Sequence, residues 1–522
     1  MSVLEGGSYK PGVDPATVLQ YSQSQSIRNG VVTTNATWQP EEGSLLSPVQ
    51  LNYTVLAHQE RLNLGLVRLD VTVRGPVKLR VTDVLDGQGA TRAHFSDKGY
   101  EEGNVIWTSV KPWGVEETSA YVVSKVRFQG LSMQEMERAF ASRSDATRHS
   151  HIVSQHMASI AQSWDIELER DEIRTFSVTK HVGIASTDAF PHRAQAAARD
   201  TAVRASEVAW EQLVQEHTES WDRIWDDADI IVPRNDEVQI TLRAALFHLM
   251  SNTISGDLGS ESSEDQGSPS NLREMSRNSI PVGGLTSDSY AGLIFWDADV
   301  WMYPSLLALH PPRARPILDY RQRLLHQAEE NSQLYSRPGA LYPWTSGRYG
   351  NCTGTGVCAL YQYHLNTDIA MGYWNYYLQG AGDDEWLRDV GWPVMRSVAE
   401  MFAEYVKFNE ETGKYETRQL GEPVRTLLCW NAVPFPFHPR VAHILLRMNL
   451  RTISTTARTQ TWASSCFSAS GCLKLQRSST LPRYRLTGRI LLETSKSHMM
   501  KRRTSLSGTT TWIRLFVSSR PV

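Results

Sequence analysis

The sequence predicts a multidomain α+β chain. An N-terminal antiparallel β-sandwich, residues 1–186, precedes a helical linker, 187–235, and then helices and aromatic-rich loops, 236–417, that read as a helical barrel or toroid. Three observations predict this order. Up to about Ser186 apolar and polar residues alternate, the pattern of antiparallel sheets with one wet face. From His192 onward apolar residues recur at helical spacing instead. From Arg418 to Val522 there are 17 Lys and Arg against two acidic residues, Glu422 and Glu493, in a chain whose net charge is −3, which sets 418–522 apart as a basic segment of different character.

The strands come first. "RLNLGLVRLDVTVRG" places Leu62, Leu64 and Leu66, then Leu69, Val71 and Val73, at period 2 on one face; "VKLRVTDVL" repeats it with Val77, Leu79 and Val81, and "RTFSVTKHVGIAS" with Phe176 and Val178. Repeated alternation with turn residues between runs predicts a sandwich. The Ala-rich stretch from His192, with Val203, Val208, Trp210, Leu213 and Val214 at helical intervals, predicts one or two long helices. "EVQITLRAALFHLMSNT" predicts an amphipathic helix buried through Ile240, Leu242, Ala245, Leu246, Leu249 and Met250. Gly256–Ser279 is polar and low in complexity, an exposed loop. Further helices are expected over Trp301–Leu309, Pro316–Leu334, Thr367–Leu378 and Asp384–Tyr405. The tail shows neither period, yet carries Trp430, Trp462, Trp512 and three of five cysteines. Disordered tails are usually poor in both residue types, so the expectation there is a tail that is either disordered or mis-translated through a frameshift or a wrongly joined exon.

Composition excludes several functions. A net charge of −3 gives no pull toward nucleic acid, and the basic tail lacks any recognition module. No run is long and apolar enough to span a membrane. The start, "MSVLEGGSYKPGVDP", lacks the basic and apolar regions of a signal peptide and, read literally, implies the cytoplasm; three N-x-S/T sequons at Asn35, Asn52 and Asn351 point the other way. The cysteines form no disulfide framework or metal pattern, although Cys352 and Cys358 are close enough to pair across a loop, and no cofactor is implied.

The chemistry concentrates in "FWDADVWM", Phe295–Met302. Sugars pack their C–H faces on aromatic rings and donate hydroxyls to carboxylates, so Trp296 beside Asp297 suits a sugar site. The plainer alternative buries Trp296 in a core and makes Asp297 a helix N-cap. His364 and Asp368, four apart on one helical face, are too few for a metal and read as a structural or supporting pair. Asp299, Asp383, Asp384 and Glu385 read as cap or surface acids.

The context favours the sugar site. "SIPVGGLTSDSYAGLIFWDADVWMYPSLLALHP" resembles the first long motif of glycoside hydrolase family 65, nearest its fungal acid α,α-trehalases. The resemblance continues through "ALYPWTSGRYGNCTGTGVC" and "YQYHLNTDIAMGYWNYYLQGAGDDEWLRDVGWPVMRSVAEMFAEYV", and backward to "VDPATVLQYSQSQS". It implies a partial (α/α)6 barrel over 236–417 and inverting cleavage of α-glucosides, trehalose being the disaccharide partner. Trp296 and Asp297 match the pair that binds the non-reducing glucose. The loop from Thr345 to Cys358 matches the second-sugar subsite, which makes Trp344, Arg348 and Asn351 candidates there. The family also implies an extracellular, cell-wall or vacuolar location.

An inverting glycosidase needs a general acid and a general base about 6.5–9.5 Å apart. The family's acid is a Glu in an Asp-Pro-Asp-Glu-Tyr-type motif shortly after the segment that here reads "EYVKFNEETGKYE", ending at Glu416; this sequence continues "TRQLGEPV" instead. No catalytic residue is recognisable, and the expectation is a trehalase-like chain that is inactive as written. A disaccharide phosphorylase and a non-catalytic sugar-binding protein are the alternatives.

Overall fold

The computed structural model describes residues 2–3, 7–40, 47–149, 152–254, 277–284, 289–353, 362–411, 413–416 and 490–491. The expected loop at 256–279 and the tail at 418–522 therefore lie almost wholly outside the described residues. The chain divides into two compact units after Asp226.

The first unit is built on ten long strands, besides two of two residues each: β1 Val18–Gln25, β2 Val32–Trp38, β3 Val49–Ala57, β4 Leu64–Arg74, β5 Val77–Leu85, β6 Ala93–Glu101, β7 Val105–Pro112, β8 Ala120–Gln129, β9 Ile160–Leu168 and β10 Ile173–Ser186. Eight of them form one antiparallel sheet in the order β1-β2-β3-β4-β10-β8-β7-β6. Strands β5 and β9 pair antiparallel over nine positions in a smaller sheet. The two sheets share a core in which Trp38, Val71, Leu79, Trp164, Ile166 and Phe176 are essentially inaccessible, and Trp164 meets Phe128 edge to face at 5.4 Å. A short helix, α1 Met133–Ala141, starts at a Ser132–Glu135 capping box.

One detail corrects the sequence reading. Leu64 and Leu66 do not share a face with Leu69, Val71 and Val73. The β3–β4 ladder runs without a bulge, so odd and even positions point to opposite sides. Leu69, Val71 and Val73 enter the sandwich core, whereas Leu64 and Leu66 pack with Leu56, Ala205 and Leu213 beneath two helices. Those helices are α2 Ala194–Glu207 and α3 Trp210–Asp227, separated where Val208 turns extended. The Ala-rich face of α2 permits close approach: a Cβ on Gly183 of β10 would sit 1.8 Å from the Ala198 carbonyl, so only glycine fits.

Two buried histidines tie α3 to neighbouring loops. His58 Nε2 donates to the Leu213 carbonyl at 2.9 Å, and His58 Nδ1 accepts the backbone N–H of Arg61 at 3.0 Å. His217 accepts from the Gln59 N–H at 3.0 Å and donates to the Asn29 carbonyl at 2.6 Å. Each ring is thereby held neutral. Burial first, and His217 second, push His58 down to about 4; the Glu216 carboxylate, 4.0 Å away, pulls the other way but is engaged by Arg61. A depressed folded-state value means that the unfolded chain takes up the proton more readily. The contribution is complete above pH ~6.5 and fades as pH falls toward 4, about 3 kcal/mol in all. Urea unfolding at pH 7 and pH 4.5 is expected to show this loss, and His58→Gln is expected to flatten the slope.

The second unit is helical. It contains α4 Asp236–Ser251, α5 Tyr303–Leu309, α6 Pro311–Arg323, α7 Leu325–Gln333, α8 His364–Leu378 and α9 Trp392–Tyr405. Asn235 caps α4, accepting the Val238 N–H at 3.1 Å. The helix expected from Pro316 begins at Pro311, carries Pro316 inside, and breaks at Leu324. Two π turns, Ala298–Met302 before α5 and Leu387–Gly391 before α9, interrupt what period alone reads as uniform helix. Among the described residues no helix is long and apolar enough to cross a membrane.

Candidate functional site

The Phe295–Met302 stretch is placed by backbone before side chains. Tyr290, Ala291 and Gly292 all have left-handed backbone angles, with φ of 54°, 57° and 68°. Such a run is costly for non-glycine residues and turns the chain sharply into Leu293. Ile294 then bridges to Ser346, exchanging backbone hydrogen bonds of 2.9 and 3.0 Å. This bridge ties the aromatic-acid stretch to the loop of Trp344, Arg348 and Asn351. Phe295 is buried, packed edge to face on Tyr290 at 5.2 Å and on Trp344 at 5.5 Å.

Trp296 and Asp297 are both half-buried. Trp296 contacts two rings, His364 edge to face at 5.2 Å and Trp301 tilted at 6.0 Å. Asp297 precedes the π turn, but its side chain makes no capping hydrogen bond. The N-cap alternative for this residue therefore fails. Partial burial, with a smaller push from Asp299, raises the Asp297 carboxyl above the ordinary carboxylate range.

Asp299 is not a cap or surface acid, which corrects the sequence reading. It is buried and paired with the fully buried Arg321, through Nε at 3.2 Å and Nη2 at 2.5 Å. Among the described residues the Arg321 Nη1 has no hydrogen-bond partner. The guanidinium lies over the rings of Tyr320 and Tyr342. Tyr342 in turn donates to the Arg321 carbonyl at 2.9 Å, and Tyr320 shares hydrogen bonds of 2.8 Å with Ser346 and Gly347. One buried pair thus joins the π turn, α6 and the loop preceding Trp344. Sequence reasoning missed Arg321, although a signal existed: it continues the apolar stripe Ala314, Ile317, Leu318 at the next helical interval, where an arginine is out of place unless paired.

The other expected residues divide clearly. His364 Nδ1 and Asp368 Oδ2 are 2.7 Å apart, the supporting pair anticipated from their spacing. Asp383 caps a short helix, accepting the Trp386 N–H at 2.8 Å, and Asp384 accepts the Tyr377 hydroxyl at 2.8 Å. Arg348 and Asn351 are exposed, Arg348 lying over the Tyr349 ring at 5.9 Å. Cys352 is disulfide-bonded; Cys358, the expected partner, lies outside the described residues. No group of metal-ligating side chains occurs among the described residues.

Both parts of the chain have counterparts among known proteins. The model of the glycosyl hydrolase family 65 N-terminal domain matches residues 3–224, and that of the family's central catalytic domain matches residues 270–423. The chain belongs to glycosyl hydrolase family 65. The second match contains Trp296, Asp297, Asp299, Arg321, Trp344, Arg348 and Asn351. The periplasmic/secreted acid trehalase of Candida glabrata is 32% identical over 418 residues, 78% of this chain and 32% of that protein. The acid trehalase of Emericella nidulans is 34% identical over 429 residues, 78% of this chain and 38% of that one. A kojibiose hydrolase of Flavobacterium johnsoniae is 32% identical over 212 residues, 40% of this chain and 28% of its own. The chain spans about a third of the length of these curated relatives. Among solved structures, a human-microbiome protein provisionally named a kojibiose phosphorylase superposes with a TM-score of 0.61 at 15% identity, over 78% of this chain and 49% of that one, and so supports the fold.

Proposed function

We propose that this chain is a trehalase-like member of family 65 that binds the non-reducing glucose of an α-glucoside at Trp296 and Asp297. Trp344, Arg348 and Asn351 line the subsite for the second sugar. The helices of the second unit form part of an (α/α)6 barrel. The observation that carries the reading is the state of Asp297. Its carboxylate is half-buried beside a half-buried indole and, among the described residues, is committed neither to a helix cap nor to an ion pair. A carboxylate so placed is an acceptor for sugar hydroxyls, and the adjacent ring offers the apolar face.

Trehalose is the preferred disaccharide because the acid trehalases match over 78% of this chain, whereas the kojibiose hydrolases match over 40%. The name of the Candida glabrata trehalase, periplasmic/secreted, also supports an oxidising, extracytoplasmic setting, as does the Cys352 disulfide. Turnover is a separate matter. The sequence after Glu416 does not carry the acid motif expected there, so the proposal is binding without cleavage. Incubating the full chain with trehalose, with and without inorganic phosphate, is expected to release neither glucose nor glucose 1-phosphate. Glucose release would show that a general acid operates from another position, and phosphate-dependent glucose 1-phosphate would favour the phosphorylase alternative.

A further inference from the structure

Trp296 is in contact with two rings. The π turn at Ala298–Met302 carries Trp301 back against it at 6.0 Å, whereas in a regular α-helix residues five apart lie about 140° around the axis. The second ring is His364, the first residue of α8, which stands edge to face at 5.2 Å with the rings 83° apart. The imidazole is oriented in turn. Its Nδ1 lies 2.7 Å from Asp368 Oδ2, one turn further along the helix, and the side chains are 14% and 8% exposed. The charged groups facing Asp368 from other elements are Asp299 of the π turn and Arg321 of α6. Asp299 is already taken by Arg321, so the Asp368 carboxylate is left to orient the histidine.

We propose that the His364–Asp368 pair is a positioning element: it fixes the plane of the Trp296 indole and thereby sets the affinity of the site for glucose. The proposal rests on the glucose-binding reading above. A buried polar pair is a poor space-filler, since apolar residues of similar volume pack as well or better. What it supplies is direction. A hydrogen bond along the helix locks the imidazole plane, and the locked ring admits one orientation of the indole against it. A stacked sugar face needs that orientation fixed before it arrives.

The test uses the full chain, with glucose as the probe, measured by isothermal titration beside thermal melts. His364→Phe combined with Asp368→Leu keeps ring and volume but removes the bond. It is expected to weaken glucose binding tenfold or more while melting within a few degrees of the wild type. Asp368→Asn, which keeps an acceptor for Nδ1–H without the charge, is expected to lose two- to fivefold. A wild type that binds glucose and a folded double variant that binds it equally well would overturn the positioning role and leave the glucose site standing. A wild type that binds no glucose would overturn the glucose reading itself. Should the double variant fail to fold, Asp368→Asn decides: weaker binding with an unchanged near-UV spectrum supports the role, and unchanged binding overturns it.

Discussion

Asp297→Ala is expected to lower the affinity for glucose and trehalose by about two orders of magnitude or more, with little effect on folding. Hydrogen bonds to a charged acceptor contribute about 1.5–3 kcal/mol each, and a sugar can offer two hydroxyls to one carboxylate, so about 3–6 kcal/mol of binding is at stake. Stability is largely spared because the side chain caps nothing. Asp297→Asn is the sharper variant. It keeps the shape but replaces one acceptor oxygen by a donor, and should lose most of the affinity as well. The raised Asp297 carboxyl adds a pH signature. A group with a raised value becomes protonated at higher pH than an ordinary carboxylate, so binding is complete near neutrality and falls early on acidification. Titrations at a series of pH values check this, and an acid-insensitive affinity would remove Asp297 from the contact.

Asp299→Ala is expected to destabilise the helical unit by about 3–5 kcal/mol, because it strands a guanidinium that is already fully buried. The deletion also frees the π turn from α6, so the Trp296–Trp301 pair should loosen along with it. Replacing both partners by apolar residues, Asp299→Leu with Arg321→Met, should recover most of the loss, since no uncompensated charge then remains. Urea unfolding of the three proteins, followed by near-UV circular dichroism, distinguishes the cases. A single variant as stable as the wild type would mean that water or a neighbouring acceptor already serves Arg321.

The two sites differ in how far sequence reveals them. Trp296 and Asp297 are proposed from sequence because their residue types and neighbours carry chemistry directly; the structure adds that both are half-buried and that Asp297 makes no capping bond. Asp299 was misread as a cap, because an acid two residues into a helix looks the same whether solvent or an arginine faces it. Only the three-dimensional return of α6 supplies Arg321, 22 residues on in the chain. The strands show the same limit. Period 2 identified the strand that holds Leu64, Leu66, Leu69 and Val71, but it could not say that the strand serves two cores, one facing the sandwich and one facing α2 and α3. Both π turns escaped because their spacing differs from an α-helix by less than a turn, while their effect on ring placement is large.

The central claim is that a glucose-binding half-site is assembled in this chain around Trp296 and Asp297. Titrating glucose into the full chain by isothermal calorimetry, with Asp297→Ala in parallel, tests it most directly. Saturable one-site binding to the wild type, lost in the variant, is the predicted result. No saturable heat with the wild type, or equal binding by both proteins, would contradict it.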